Sequence, residues 1–444
     1  MSVLDDIEIS RKASILSIFS DKYEAHKKSI ISEKGKEPKD ILFIVHILCF
    51  FVGFMNIMPM VFFSTAQNYW MYKFRNATLD EETTSGKDRT ALQSYFQSVQ
   101  MVASSVPNVI FTLLALFYGH KLSAIIRSIG ALAVQCTNFA IFAAFTYINT
   151  DSWQNSFFVL TMGLFTINSA CTSTFHMSSV VLMAKLPSIY MFFFLIGQNG
   201  TVITTTLQII ALSVTDRSLI TGAIYFTAGT ILIGLTLILL LVGRITPVFK
   251  YYDVTNVKEN KTEELKWSEC KILIKKIWPC LVIMCGLLTS SSFVMPGIIT
   301  LIVSENDTEK TAWTAKYFTP VTAFLIPEVV SILGRVTAKN FRITNTNKWW
   351  YIAVVFIRGV TLVPFYMFCR AEPRHLPVVF GSDWQFISIH AFFAYTMGFL
   401  LNVTFMSIRT LTDKPELGLK LLGLVASLTS AANTANGVLM VRLL

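Results

Sequence analysis

The chain has 444 residues, of which 53% are hydrophobic and 13% aromatic but only 14% charged. Ordinary soluble domains keep about a quarter of their residues charged, so this deficit, with a mean hydropathy of +0.56, excludes a soluble globular enzyme and points to a polytopic membrane protein in a lipid bilayer. The net charge of +10 lies in short basic loops between apolar blocks, the pattern of cytoplasmic loop bias, and no nucleic-acid partner is expected.

Residues 1–40 are polar and read as a cytoplasmic tail with no cleavable signal, so the first apolar span directs insertion. Windows of about twenty apolar residues then predict roughly eleven helices, near 41–66, 93–117, 129–149, 157–183, 188–214, 219–243, 277–302, 317–338, 349–370, 385–408 and 419–441. The Ser- and Thr-rich 157–183 block is the weakest of them. Most Lys and Arg fall on one side if the N-terminus is cytoplasmic and the C-terminus outside. That topology puts the sequons Asn76-Ala77-Thr78 and Asn306-Asp307-Thr308 outside, where Asn76 and Asn306 would be glycosylated, and Asn260-Lys261-Thr262 inside. The charged 245–276 segment divides a six-helix bundle (41–244) from a five-helix bundle (277–444). This 6+5 order is that of a major-facilitator-like, all-α carrier whose halves rock about a central site.

Polar residues within the spans are the candidate functional groups. His176 lies deep in the fourth span, where an imidazole has no water unless it faces a cavity. In the fifth, Gly197-Gln198-Asn199-Gly200 either breaks the helix or permits close contact, and Gln198 and Asn199 could bond a polar solute. The apolar stretch from Tyr317 to Ala338 holds Glu328, Ser331 and Arg335 on one helical face, with Phe324 one turn above. A charge at the centre of such a helix costs roughly 2.5–3.5 kcal/mol, so two imply a polar cavity. Arg358 is read as snorkelling or as pairing with a carboxylate; His390 and Asn402 are read as glue between helices. Pro59, Pro107, Pro296, Pro320 and Pro327 mark kinks or hinges. The seven cysteines form no Cys-x-x-Cys pair, and nothing suggests a metal or cofactor. There is no Gly-x-Ser-x-Gly, no His-Glu-x-x-His and no Walker-type loop, so neither an enzyme nor an ATP-driven pump is expected. Facilitated or ion-coupled passage of a small solute remains.

Several segments together resemble the equilibrative nucleoside transporter family, as a divergent animal member. They are Asn56-Ile57-Met58-Pro59 with Phe62-Phe63-Ser64-Thr65-Ala66 and Tyr69; Leu186-Pro187 with Gly197-Gln198; Trp313, Tyr317-Phe318, Pro320, Phe324 and Leu333-Gly334-Arg335; and Arg358 to Pro364 followed by Pro373-Arg374, Pro377-Val378-Val379-Phe380, Asp383 and Ala391-Phe392-Phe393-Ala394. The resemblance implies an eleven-helix facilitator that carries nucleosides, with nucleobases as a further class, at the plasma membrane by alternating access. It also implies that ribose is held by an Asp and an Arg one turn apart on the eighth helix. Arg335 matches the Arg, but Ser331 stands where the Asp is expected and Glu328 where an amide is usual. His176 replaces a base-contacting Gln, Met60 a Trp, and Met397-Gly398-Phe399 an Asn-Gly-Tyr. The candidate substrate-contacting set is Arg335, Glu328, Ser331, His176, Met60, Phe324, Gln198 and Met295, with Glu328 expected to pair with Arg335 or Arg358. Two other readings accompany this one: a carrier of another polar or cationic solute, proton-linked through Glu328 and His176, and a membrane receptor that does not transport.

Overall fold

The computed structural model describes residues 38, 40–76, 90–215, 217–252, 267–295, 298–306, 311–371 and 376–443. Most of the expected tail, much of the 245–276 linker, Asn260, Pro296 and the Thr of both outer sequons lie outside the described residues.

The first expected span is built of three pieces, α1 (Ile44–Met55), α2 (Met58–Thr65) and α3 (Gln67–Lys73). Pro59 lies in the first turn of α2, where its missing N–H costs nothing, so the helix restarts there. Helix α4 (Ala91–Tyr118) opens on a capping box, with Gln93 N donating to Thr90 Oγ1 at 3.2 Å and Thr90 N to Gln93 Oε1 at 2.9 Å, and it carries Pro107 inside. Helices α5 (Ala124–Phe145) and α6 (Gln154–Lys185) follow. The hydroxyls that weakened the 157–183 block in sequence do not break α6. Thr166, Thr172, Ser173, Thr174 and Ser178 each donate to the carbonyl four residues back, at 2.7–2.9 Å. The fifth expected span is divided into α7 (Ser188–Gly197) and α8 (Thr201–Val214) by a turn over the Gly-rich segment, where Gly200 N donates to Gly197 O at 2.8 Å. Helices α9 (Ser218–Ile245) and the short α10 (Pro247–Tyr251) complete the first half.

In the second half α11 (Trp267–Val294) is continuous. The eighth expected span begins as two π-helical runs, Trp313–Tyr317 and Pro320–Leu325, and continues as α12 (Ile326–Thr337). Then come α13 (Lys348–Met367), α14 (Asp383–Leu411), α15 (Pro415–Ala432) and α16 (Asn436–Leu443). Among the described residues, eight helices are long and apolar enough to cross a bilayer. The first, fifth and last expected spans instead fall on helices broken into shorter pieces. The strand pairing among the described residues is confined to isolated bridges, Ile302 with Ala371 and Cys369 with Phe380.

Helices in lipid associate through close packing more than through exclusion of water, and small residues at the crossings allow it. Gly53 of α1 lies against the Phe194 carbonyl of α7, and Gly197 of α7 against the Phe50 carbonyl of α1. The second half repeats the device: Gly334 of α12 meets the Tyr395 carbonyl of α14, and Gly398 meets the Ser331 carbonyl. Helix α4 packs along α6, and α5 lies between α6 and α9. An aromatic block fills the first half; Phe63 stacks on Phe165 at 4.1 Å, and the Trp70 indole donates to Phe63 O at 2.9 Å. Helix α11 packs on α13 and α15. The two halves meet along two seams. In one, α15 lies on α4 and α6; in the other, α8 lies on the π-helical run before α12.

Candidate solute site

The break between α7 and α8 faces α12 at the second seam. There Asn199 Nδ2 donates to Glu328 Oε2 at 3.0 Å and to the Glu328 carbonyl at 3.3 Å. Arg335, one face of α12 further along, donates from its guanidinium to Gln198 Oε1 at 3.3 Å. The expected pairing of Glu328 with an arginine is not formed: among the described residues no ion pair joins Glu328 to Arg335 or Arg358. The physical reason is geometric. Two helical turns separate Glu328 from Arg335 along one face, and the amides at 198 and 199 enter between the two halves to meet each group separately.

This cluster is buried yet incompletely satisfied. Arg335 is 4% exposed, Asn199 2% and Thr201 6%. Arg335 Nε, Asn199 Oδ1 and Thr201 Oγ1 make no hydrogen bond of ordinary geometry, and the Thr201 hydroxyl stands beside the Glu328 carboxylate. A buried polar atom left unpaired costs about 1–3 kcal/mol. Three such atoms lie together here, on both sides of the seam.

The other candidates are dispersed. Ser331 is turned away from the amides: its carbonyl and Oγ press on Gly398 of α14, with Oγ 2.7 Å from where a Cβ there would stand. Phe324, half-buried, packs on the core of the second half. Met60 is half-buried against the core of the first half. His176 lies at the other seam, its ring beside Gly423 of α15. It is therefore on the interface between halves, but no contact joins it to Glu328 or Arg335. Met295 lines a cavity of about 270 Å³ between the two halves, with Met101, Ser291, Ser292, Asn433 and Thr434. Its walls are tied by Asn433 Nδ2 donating to Thr289 Oγ1 at 2.9 Å and Asn436 Nδ2 to Ser292 Oγ at 3.0 Å. These residues were missed in sequence; the run Thr289-Ser290-Ser291-Ser292 inside an apolar span was the available signal.

Arg358 neither snorkels nor meets a carboxylate. It is 2% exposed, donates to Thr396 Oγ1 at 3.1 Å, to Ser290 Oγ and to Phe393 O, and lies over the Phe393 ring at 3.6 Å. It ties α13 to α11 and α14. His390 is glue as expected, bonding Tyr366 and Ala323 O, whereas Asn402 is fully buried with both amide atoms unpaired. Asn76 and Asn306 are exposed.

At one end of the molecule the halves are fastened. Arg409 of α14 donates to the carbonyls of Ala184, at 3.1 Å, and Leu186, and the Lys339 ammonium lies 5.1 Å from the Phe192 ring. Nearer the middle of the first seam, Thr112 Oγ1 and Ser427 Oγ are 3.1 Å apart.

The family described as Nucleoside transporter matches residues 253–414. Equilibrative nucleoside transporter 3 of Rattus norvegicus is 22% identical over 434 residues, covering 90% of this chain and 90% of that protein. Equilibrative nucleoside transporter 1 of Homo sapiens is 23% identical over 413 residues, covering 83% and 90% respectively. Among solved structures, the major facilitator superfamily proton:xylose symporter bound to 6-bromo-6-deoxy-D-glucose superposes with a TM-score of 0.53 at 12% identity, covering 88% of this chain and 86% of that one. At that identity the likeness is one of fold.

Proposed function

We propose that this multi-pass membrane chain, a divergent member of the equilibrative nucleoside transporter family, carries nucleosides across the plasma membrane by alternating access. The observation that carries the reading is the set of unpaired atoms where the fifth-span break meets α12. Asn199 Oδ1, Thr201 Oγ1 and the remaining lone pairs of Glu328 accept hydrogen bonds, and Arg335 Nε donates one. The cluster presents acceptors and donors side by side, which suits a solute bearing several hydroxyls, such as the ribose of a nucleoside. Glu328 and Arg335 also offset each other's charge, which favours a neutral solute over an organic cation.

The same reading orders the rest of the molecule. Eleven crossing segments form bundles of residues 41–244 and 277–444, joined by the 245–276 linker, with the N-terminus cytoplasmic. The Arg409 fastening then closes the cytoplasmic end, and the cavity beside Met295 opens toward the outside. Its volume of about 270 Å³ falls just below the usual lower limit for a small-molecule site, about 300 Å³, so it would serve as an entry chamber and not as an enclosed site. Met60, Phe324 and His176 would contact the solute only as the halves rock.

The test is influx of labelled uridine in cells lacking their own carriers, with competition by a panel of nucleosides and monoamines. Nucleosides compete and monoamines do not, and Arg335→Ala abolishes uptake while the protein still reaches the surface. Robust uptake by Arg335→Ala, or competition by monoamines alone, refutes the assignment.

A further inference from the structure

Pro327 has no N–H, so the helical ladder lacks one donor where the π-helical run Pro320–Leu325 passes into α12, and Ala323 lies in that run. Ala323 is 1% exposed, where an unpaired carbonyl has no water to turn to. His390 of α14 bonds this carbonyl from outside the helix, its Nε2 standing 3.1 Å from Ala323 O. Only a protonated Nε2 can donate to a carbonyl. The other ring nitrogen, Nδ1, is 2.6 Å from the Tyr366 hydroxyl of α13, so it accepts from the O–H. The ring is held edge-on by these two bonds and face-on by Phe386, at 5.6 Å and 10°. His390 and Tyr366 are 1% and 0% exposed.

The carbonyl so held lies in the π-helical run Pro320–Leu325, at its junction with α12. A π turn holds one more residue than an α turn, and such turns recur at functional sites. Tightening one to α geometry would rotate everything beyond it by about 100°, one residue's share of a 3.6-residue turn. Glu328 stands directly beyond and would leave Asn199. We propose that His390, fixed as its Nε2–H form by Tyr366, is a positioning residue that keeps the wide turn of the eighth span open and so aims Glu328 at the solute path. It acts through the Ala323 carbonyl and touches no solute. The functional consequence rests on the transport reading above; the structural one does not.

Two measurements separate them, both on the full chain. In lipid nanodiscs, hydrogen exchange of peptides covering 318–328 should quicken at least tenfold in His390→Leu, while a control helix, 124–145, stays unchanged. His390→Gln, which keeps a side-chain N–H, should restore most of the protection. In cells, His390→Leu should raise the KM for uridine at least fivefold with Vmax per surface copy within twofold, and His390→Gln should recover it. Unchanged exchange over 318–328 in His390→Leu overturns the proposal, as does a loss of Vmax with KM unaltered, the signature of a packing residue alone. If the unaltered protein takes up no nucleoside, the transport reading fails and the exchange experiment still decides this one.

Discussion

At the scale of single residues, the same side-chain type has different worth according to what it faces. Ser331 stands where the resemblance to the equilibrative nucleoside transporters leads one to expect an acidic ribose contact, but it presses on Gly398 of the neighbouring helix. Ser331→Ala is therefore expected to leave the uridine KM within twofold, measured as initial influx. Asn199 spans the seam between halves and holds Glu328. Hydrogen bonds to a charged group contribute about 1.5–3 kcal/mol, so Asn199→Ala should raise that KM roughly tenfold or more. Equal effects of the two substitutions would mean that the site is built on Ser331 after all. The cost of placing charge in an apolar span made Glu328 and Arg335 legible from sequence alone. Their partners were not, because helical periodicity assigns a residue to a face without saying which helix, 129 residues away in the case of Asn199 and Glu328, that face will meet.

At the scale of elements, apolar length predicted the helices well and their breaks unevenly. The Gly197–Gly200 break and the restart at Pro59 carried visible punctuation. The interruption after Ala432 was also punctuated, by Asn433 and Asn436-Gly437, although apolar length alone runs across it; the π turns were not, since a wide turn uses the same residues as a narrow one and is selected by neighbours such as His390. Glycines show the same dependence on context. A Cβ at Gly398 would strike the Ser331 carbonyl, whereas one at Gly163 meets nothing within 4 Å. Overpacking of a tight contact costs about 1–3 kcal/mol or more, while Gly to Ala in an open helical position gains about 0.5–1 kcal/mol. Gly398→Val should therefore abolish the monodisperse peak in size-exclusion chromatography from detergent, and Gly163→Ala should leave it or improve it. A normal peak for Gly398→Val would show that α12 and α14 need not touch.

At the scale of the whole molecule, the halves are fastened at one end and separated by a cavity toward the other. Arg409→Ala removes two charge-assisted bonds to carbonyls of the opposite half, and a loss of about 1.4 kcal/mol already changes the balance of two states tenfold. A cysteine at Met183, 1% exposed here, should then react severalfold faster with an impermeant thiol reagent applied from the cytoplasmic side. An unchanged rate would remove Arg409 from the gate. Glycosidase treatment tests the orientation: Asn76→Gln and Asn306→Gln should each abolish one mobility shift, and a shift that survives both substitutions would contradict the inside-to-outside order.

The hydroxyls of α6 bear on how such a molecule moves. Of the hydroxyls named above, Thr166, Thr172, Thr174 and Ser178 donate to the helix's own backbone, while Ser173 is shared between the Ser169 carbonyl and Asn108 Oδ1 of α4. Those four donors are not stranded when the surface beside them changes. Helix α6 meets α15 across the first seam, and that meeting must be exchanged for solute, water or another helix as the halves turn. Where its hydroxyls are so held, α6 behaves as a bearing surface: polar enough to be wetted, yet with few bonds to break as its neighbours change.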